Sequence, residues 1–318
     1  MKILVTGGAG FIGSEFVRAL LQDKYSEFGL EPEQVVVIDA LTYAGNLNNL
    51  APISNDKRFS FVHGSINDFK LMLDISKQCD LIVNFAAESH VDRSIENPSI
   101  FVETNVVGTY TVLEVAKQNK VKRVIQISTD EVYGSIEDGS WDEESPLRPN
   151  SPYSASKASA DLLARSYFKT YSLDIITTRC CNNYGPYQNS EKLIPKLITN
   201  LMSGLDLPIY GSGLNIREWV HVSDHARAIA FLAMSGNTGE IYNIGGGEGV
   251  TNIEIANKVV KLFGVNQSRL TSVKDRAGHD FRYSLNDSKI KKMGFAFKTD
   301  FEVGLIETIN WYKLAAIE

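Results

Sequence analysis

Three groups of residues in the chain are of types and spacings that could do chemistry together. Asp130 and Glu131 are adjacent carboxylates in "STDEVYG", directly after the apolar run "RVIQIS". Two neighbouring acids can act as general acid and general base, because each disfavours ionisation of the other and burial can hold one of them protonated. Tyr153 and Lys157 stand at i and i+4 in "YSASK", which on a helix is one face about one turn apart. A phenol with an ordinary pKa of about 10 is a poor base at neutral pH. A neighbouring ammonium and the positive charge of a hydride-accepting cofactor favour its phenolate, which could then take the proton of an alcohol during a hydride transfer. The third group is "TGGAGFIG", where Gly7, Gly10 and Gly13 bring a glycine-rich turn between a strand and a helix. Taken singly, each has a bland reading as a solvated strand end, a surface helix or a tight turn; their coincidence in one chain argues for a site.

Such groups need a scaffold, and the first half of the chain supplies one. Short β-branched runs, "KILVT", "VVVID", "FSFV", "LIVNFA" and "RVIQIS", alternate with amphipathic stretches at 11–22 and 99–119. Strands apolar on both faces, separated by helices, predict a doubly wound, Rossmann-like parallel sheet. "DIITTRC", after the helix that carries Tyr153, should extend the same sheet. Beyond about residue 181 loops such as "NNYGPYQNSEK", "GSGLN" and "GGGEG" loosen the pattern, with isolated helices such as 251–263. We therefore expect a dinucleotide-binding domain over 1–180, with returning segments near 217–245, and a smaller, interleaved substrate-binding lobe over 181–318.

Glycines after a first strand let a pyrophosphate approach the backbone and the positive end of the following helix. Asp39, which ends "VVVID", is placed to accept ribose hydroxyls and to repel a 2′-phosphate, and no Arg follows in "ALTYAGN". That favours NAD over NADP; a capping or turn role for Asp39 is the other reading. At 318 residues, 43% hydrophobic and 22% charged, the composition is that of a globular protein. A net charge of -6 with no basic block argues against nucleic acid. Cys79, Cys180 and Cys181 form no disulfide framework, no apolar run approaches a membrane span, and the amino terminus lacks a signal-peptide pattern. A cytoplasmic protein without a membrane partner is expected. His63, His221 and His225 show no ligand spacing, so no metal is expected.

With these motifs in place the chain resembles an extended short-chain dehydrogenase/reductase of the dTDP-glucose 4,6-dehydratase family. The resemblance rests on "TGGAGFIG", "LTYAGNL", "NFAAESHVDRSI", "STDEVYG", "SPYSASKASAD", "RCCNNYGPY", "EKLIPKLI", "IREWVHVSDHARA", "YNIGGG" and "RAGHDFRY", which together cover most of the chain. It implies a hydro-lyase reaction on a dTDP-hexose with NAD: C4 oxidation, loss of water across C5 and C6, and return of the hydride to C6. It also implies Thr129 on the reacting hydroxyl, Glu131 as the base at C5, Asp130 as the acid at C6, and Tyr153 with Lys157 as the redox pair, Lys157 also holding the nicotinamide ribose. Further positions carried over for the cofactor are Phe11, Ile12, Thr42, Gly45, Ser65, Ile66, Ala86, Ala87, Ser89, Thr104 and Asn183. Those for the substrate are Ser89, Thr129, Asn182, Lys192, Leu193, Pro208, Tyr210, Arg217, Asn252, Arg276 and His279, with the two arginines suited to phosphate. Relatives pair helices of the first lobe, which implies a homodimer through 99–119 and the helix starting near Tyr153. Ala40 and Ser65 depart from the commonest pattern, Lys and Asp, at the adenosine end. The alternatives are a UDP-glucose 4,6-dehydratase, a nucleotide-sugar 4-epimerase, which usually has small residues in place of the two acids, and a non-catalytic NAD-binding sensor or scaffold, against which the intact Tyr153 and Lys157 argue.

Overall fold

The computed structural model describes residues 1–247, 249–265, 269–275 and 278–315. Arg276, expected in the nucleotide-diphosphate pocket, lies outside the described residues. The chain begins with β1 (Lys2–Thr6), α1 (Phe11–Leu21), β2 (Gln34–Asp39), β3 (Phe59–His63), α2 (Phe69–Ile75) and β4 (Leu81–Asn84). It continues through α3 (Val91–Glu96), α4 (Pro98–Phe101), α5 (Gly108–Gln118), β5 (Arg123–Thr129), α6 (Pro152–Tyr171) and β6 (Ile175–Cys180). Next come β7 (Asn182–Tyr184), α7 (Leu193–Met202), β8 (Leu207–Tyr210), β9 (Ile216–Arg217), β10 (Trp219–His221), α8 (Val222–Ser235) and β11 (Ile241–Ile244). The remainder is β12 (Val250–Thr251), α9 (Asn252–Phe263), β13 (Leu270–Val273), α10 (Ser288–Lys292) and α11 (Phe301–Ala315).

Seven parallel strands form one sheet in the order β11-β6-β5-β4-β1-β2-β3. Alternate residues of each strand point to opposite faces, and both faces are covered. On one side Ile3, Val5, Val35, Val37 and Ile125 meet Phe16, Val17 and Leu20 of α1 and Ile229 and Leu232 of α8. On the other Leu4, Val36, Ile38, Ile82 and Val124 meet Met72 of α2, Val112 and Leu113 of α5 and Ala164 and Tyr167 of α6. Each such side chain, fully buried, contributes roughly 1.5–3 kcal/mol, which is why the strands read as unbroken apolar runs.

Strand order reverses between β1 and β4, and ligands of open α/β sheets bind at the carboxyl ends of the strands beside such a reversal. Here that edge is polar inside the sheet itself. Thr6 Oγ1 donates to Asn84 Oδ1 at 2.5 Å, and Asn84 Nδ2 donates to Gln126 Oε1 at 2.8 Å, so one buried chain of hydrogen bonds ties β1, β4 and β5 together below the crevice. The helical stretch expected at 99–119 is continuous from α4 into α5, but its middle, Val102–Val107, is π-helical. The wider turn carries Thr104 and also Asn105, whose Oδ1 accepts from Glu88 N (2.8 Å) and whose Nδ2 donates to Glu88 O (3.0 Å) and Ser156 Oγ (2.9 Å). That side chain fixes the loop after β4 against α6.

The later half of the chain builds a second core, in which Ile194 and Leu197 of α7, Ile255 and Val259 of α9 and Leu305 and Ile309 of α11 pack around Leu207 and Trp219. It also returns to the large sheet: β11 pairs with β6, and α8 covers the face that α1 covers. Among the described residues no helix is long and apolar enough to cross a membrane.

Two glycines of the first turn are obligatory for different reasons. Gly7 has φ +65°, and a Cβ there would lie 2.6 Å from Ala86 N; a Cβ on Gly13 would overlap the carbonyl oxygen of Gly7. Gly13→Ala is therefore expected to lower the unfolding free energy by about 1–3 kcal/mol, the range for overpacking, measured by urea denaturation with an unchanged m-value.

Candidate active site

The glycine turn closes the cavity at the β1 end. Helix α1 starts at Gly10 with no side-chain cap and no acidic residue in its first turn, so its leading N–H groups and positive end remain for an anion. Asp39 lies beside it, 9% exposed, with Oδ2 accepting Ala9 N at 2.9 Å and Oδ1 accepting Leu41 N at 2.8 Å. Asp39 thus does serve the turn, and since each carboxylate oxygen has further acceptor capacity, this does not preclude a ribose. Gly45 sits so close that a Cβ would be 2.6 Å from Asp39 Oδ1. Ser65 Oγ accepts from Asn67 N at 3.1 Å, and Ala40 is exposed.

One cavity of about 390 Å³ runs from this turn to the end of β5, and every residue expected at the cofactor lines it. Gly7, Gly10, Phe11, Ile12, Gly13, Asp39, Thr42, Gly45, Ser65 and Ile66 are at one end, and Ala86, Ala87, Ser89, Thr104, Tyr153, Lys157 and Asn183 at the other. These features fit a dinucleotide: a small-residue turn at a helix N-terminus for the diphosphate and a strand-end carboxylate for a ribose.

The two acids follow β5 on a single 3-10 turn, Asp130–Tyr133, capped by Thr129 Oγ1, which accepts Glu131 N at 3.3 Å. Thr129 Oγ1 also donates to Asp130 Oδ1 at 3.1 Å, while Asp130 Oδ2 is buried with no hydrogen-bond partner among the described residues. Asp130 is 2% exposed. Burial, and then the neighbouring Glu131 carboxylate, push its pKa well above the usual carboxylate range, outweighing the pull of Arg217. Glu131 is half-buried.

Tyr153 and Lys157 lie on the buried face of α6, which is opened by a Ser151/Ser154 capping box with Pro152 in its first turn. Lys157 Nζ donates to the Ile127 carbonyl at 2.6 Å. The phenolate expected of Tyr153 depends on a cofactor's positive charge as well as on the Lys157 ammonium. Burial raises the phenol well above 10, Glu131, Cys180 and Asp130 raise it further, and a hydrogen bond with Thr129 opposes them. The Lys157 ammonium, itself disfavoured by burial and supported by Asp161, is directed at the end of β5. The protein alone keeps Tyr153 protonated.

A second cavity, about 1030 Å³, opens from the first and shares Ser89, Glu131, Asn182, Lys192 and Leu193 with it. Pro208, Tyr210, Arg217, Asn252 and His279 line this second space, while Thr129 lines the first. Lys192 Nζ donates to Ser89 O at 2.8 Å, and His279 Nδ1 meets Asp275 Oδ1 at 2.6 Å. Arg217 is not a free phosphate fork. Its Nη1 donates to the carbonyls of Ile216 (2.7 Å) and Phe281 (3.2 Å), its Nη2 to that of Asp280 (2.8 Å), and its guanidinium lies 4.2 Å from the centre of the Tyr283 ring. Only part of its donor set remains for a ligand.

Several lining residues were not legible as such. Tyr43 accepts Ser89 N through its hydroxyl (3.3 Å) and carries the Arg93 guanidinium 4.1 Å above its ring, and Arg93 pairs with Glu191 at 2.6 Å. Nothing in their spacing marks them, since they come from three separate segments, Arg93 from α3 and the other two from loops. His225, expected to be structural, is fully buried and its Nδ1 meets Asn183 Oδ1 at 2.8 Å. Asn183 Nδ2 is spent on Cys181 O (3.0 Å) and Cys180 Sγ (3.5 Å), so the Asn183 side chain holds the floor of the cavity together.

Comparison with known proteins agrees with this geometry over nearly the whole chain. The GDP-mannose 4,6 dehydratase family model matches residues 4–308. The chain is 52% identical to a dTDP-glucose 4,6-dehydratase of Streptomyces niveus, covering 98% of this chain and 93% of that one. The structure of DesIV, a dTDP-glucose 4,6-dehydratase from Streptomyces venezuelae with NAD bound, superposes with a TM-score of 0.97 at 54% identity, over 99% of this chain and 97% of that one. A UDP-glucose 4-epimerase from Thermotoga maritima has the same fold with a TM-score of 0.90 at 29% identity, over 99% and 100%.

The raised pKa of Asp130 has a consequence for stability. The folded protein holds this proton more tightly than the unfolded chain, whose Asp titrates near 4. Above that pH the unfolded state has released its proton, so stability falls as pH rises toward the folded pKa. Asp130→Asn is expected to raise the melting temperature at pH 7 and to have a smaller effect near pH 4, by thermal denaturation across that range.

Proposed function

The chain belongs to the dTDP-glucose 4,6-dehydratase family of extended short-chain dehydrogenases/reductases, and from that membership and the site we propose that it converts dTDP-glucose to dTDP-4-keto-6-deoxyglucose and water. The observation that carries the reading is a buried acid, Asp130, beside a half-buried one, Glu131, where the cofactor cavity meets the second cavity. Bound NAD would supply the hydride acceptor for C4 and donor for C6, and a positive ring that would favour the Tyr153 phenolate.

The chain's own residues do the rest. The Gly7–Gly13 turn and the start of α1 hold the cofactor diphosphate, and Asp39 takes the adenosine ribose. Lys192, Arg217, Asn252 and His279 surround the nucleotide diphosphate of the substrate. Thr129 orients the C4 hydroxyl, and Tyr153 takes its proton. The resulting ketone acidifies C5, whose proton passes to Glu131. Asp130, already protonated, gives its proton to the C6 hydroxyl, which leaves as water. Glu131 then returns a proton to C5, and a transfer from Tyr153 restores Asp130. A C4 epimerase makes no use of this acid pair.

Three buried, unpaired cysteines suit a reducing, cytoplasmic setting. A homodimer is supported by the exposed apolar residues on α3 to α6: Val102 (52% exposed), Val107 (47%) and Leu162 (58%), with Ile95, Ile100 and Tyr110 beside them in the chain. Isolated exposed apolar side chains need no explanation, whereas a cluster of them marks an interface.

Incubation with dTDP-glucose is expected to give a product lighter by one water that absorbs in alkali, faster than with UDP-glucose. Glu131→Gln should slow its formation by at least about a hundredfold, the lower range for loss of a general base; unchanged turnover would overturn the assignment. The double substitution Val107→Glu with Leu162→Glu is expected to convert a dimer to monomers in sedimentation velocity, and a wild-type protein that sediments as a monomer would exclude the dimer.

A further inference from the structure

Beneath the site lies a buried ion pair that the reaction does not use. Arg179 on β6 is 3% exposed, and its Nε donates to Asp161 Oδ2 at 2.9 Å. Its Nη1 donates to the Tyr133 hydroxyl at 2.8 Å, and its guanidinium lies 4.7 Å from the centre of that ring. Tyr133 in turn donates to Asn243 Oδ1 at 2.9 Å on β11, and stacks on Trp141, with ring centres 6.1 Å apart.

The two partners of Arg179 come from the two halves of the catalytic apparatus. Asp161 is one helical turn beyond Lys157 and two beyond Tyr153 on the buried face of α6. Tyr133 is the last residue of the turn that carries Asp130 and Glu131. One guanidinium therefore spans the redox helix and the acid-bearing turn. Its benefit to stability is small in principle, because a buried ion pair costs about as much in desolvation as it returns, and apolar residues of similar volume often serve as well or better. Asp161 Oδ1, buried without a hydrogen-bond partner among the described residues, adds to that cost. What an apolar substitute could not supply is fixed hydrogen-bond geometry between two elements on which reacting groups must agree to within about 0.5 Å.

We propose that Arg179 is a positioning residue that locks the Asp130–Tyr133 turn to the Tyr153–Lys157 helix, so that water elimination stays in register with C4 oxidation. The inference rests on the dehydratase reading for its kinetic consequence and on geometry alone for its structural one. Oxidation needs Tyr153, Thr129 and the cofactor, which remain placed by β5, α6 and the glycine turn. Elimination needs Asp130 and Glu131 to reach C6 and C5 of a sugar held by those other groups, and so is the step that a displaced turn would impair.

The test uses the full-length holoenzyme, with Arg179→Met removing the charge at similar volume and Tyr133→Phe removing only the hydroxyl contact. In single turnovers with dTDP-glucose, Arg179→Met is expected to oxidise C4 within a few-fold of the wild-type rate. It should form the keto-deoxy product about a hundredfold more slowly, the effect of misplacing a reacting group by about 1 Å, so that reduced nicotinamide accumulates. Tyr133→Phe should shift the same ratio in the same direction by less. Hydrogen-deuterium exchange should be faster in peptides covering residues 128–135 in both variants. Equal slowing of both steps, or no change in either, would overturn the proposal, and if Arg179→Met does not fold, Tyr133→Phe decides by the same criteria. A wild-type protein that leaves dTDP-glucose intact would sink the dehydratase reading alone; the lock would then stand if the 128–135 peptides lose protection and fall if they do not.

Discussion

Withdrawing a carboxyl group from water disfavours its ionised form, and a second carboxylate beside it disfavours it further. Asp130 is subject to both, and the pull of Arg217 does not reverse them. Much of the surrounding structure can be understood as holding a neutral acid at the mouth of a parallel sheet. Strand β5 delivers it, Thr129 caps the turn that carries it, and the chain from Thr6 through Asn84 to Gln126 stiffens the strands below. Glu218 adds a further acid nearby. Its Oε1 accepts from Ser284 Oγ at 2.7 Å and Leu285 N at 3.2 Å, fastening the chain beside Tyr283, which lines the second cavity.

The same constraint explains why the two cavities meet where they do. A proton donor to a leaving hydroxyl and a base for the adjacent carbon must face one sugar from one side, while the hydride acceptor approaches from the crevice of the sheet. The C-terminal end of β5 carries both acids on adjacent residues, the ends of β4 and β6 line the cavity beside them, and the later half of the chain adds a wall carrying Tyr210, Arg217 and His279. The fold it shares with an epimerase does not dictate the chemistry; the proposed dehydration is assigned to the side chains on that 3-10 turn.

The sheet was legible in the sequence because its strands are buried on both faces and its helices on one, which leaves a strong periodic signal. The site was legible where its residues lie in contiguous motifs: the glycine turn, the acid pair and the Tyr-Lys pair. Contacts between distant segments left no such trace. Tyr43, Arg93 and Glu191 meet only after folding, and Asn183 and Arg217, expected to point at ligands, are largely committed to His225, to cysteines and to backbone carbonyls. The π-helical stretch at Val102–Val107 was hidden for a related reason, since an extra residue in one turn hardly disturbs an amphipathic pattern.

Asp39 is anchored differently from a residue that merely greets a ligand. Both of its oxygens already accept backbone N–H groups, from Ala9 in the glycine turn and from Leu41 beyond β2. Replacing it with a smaller or neutral residue to admit a phosphorylated ribose would at once remove a repulsive charge and unfasten the glycine turn that it holds through Ala9. A change of coenzyme preference is therefore not a one-step path for this chain: the first substitution would cost binding before any second one could restore it, so the choice of coenzyme is entrenched by architecture as much as by charge.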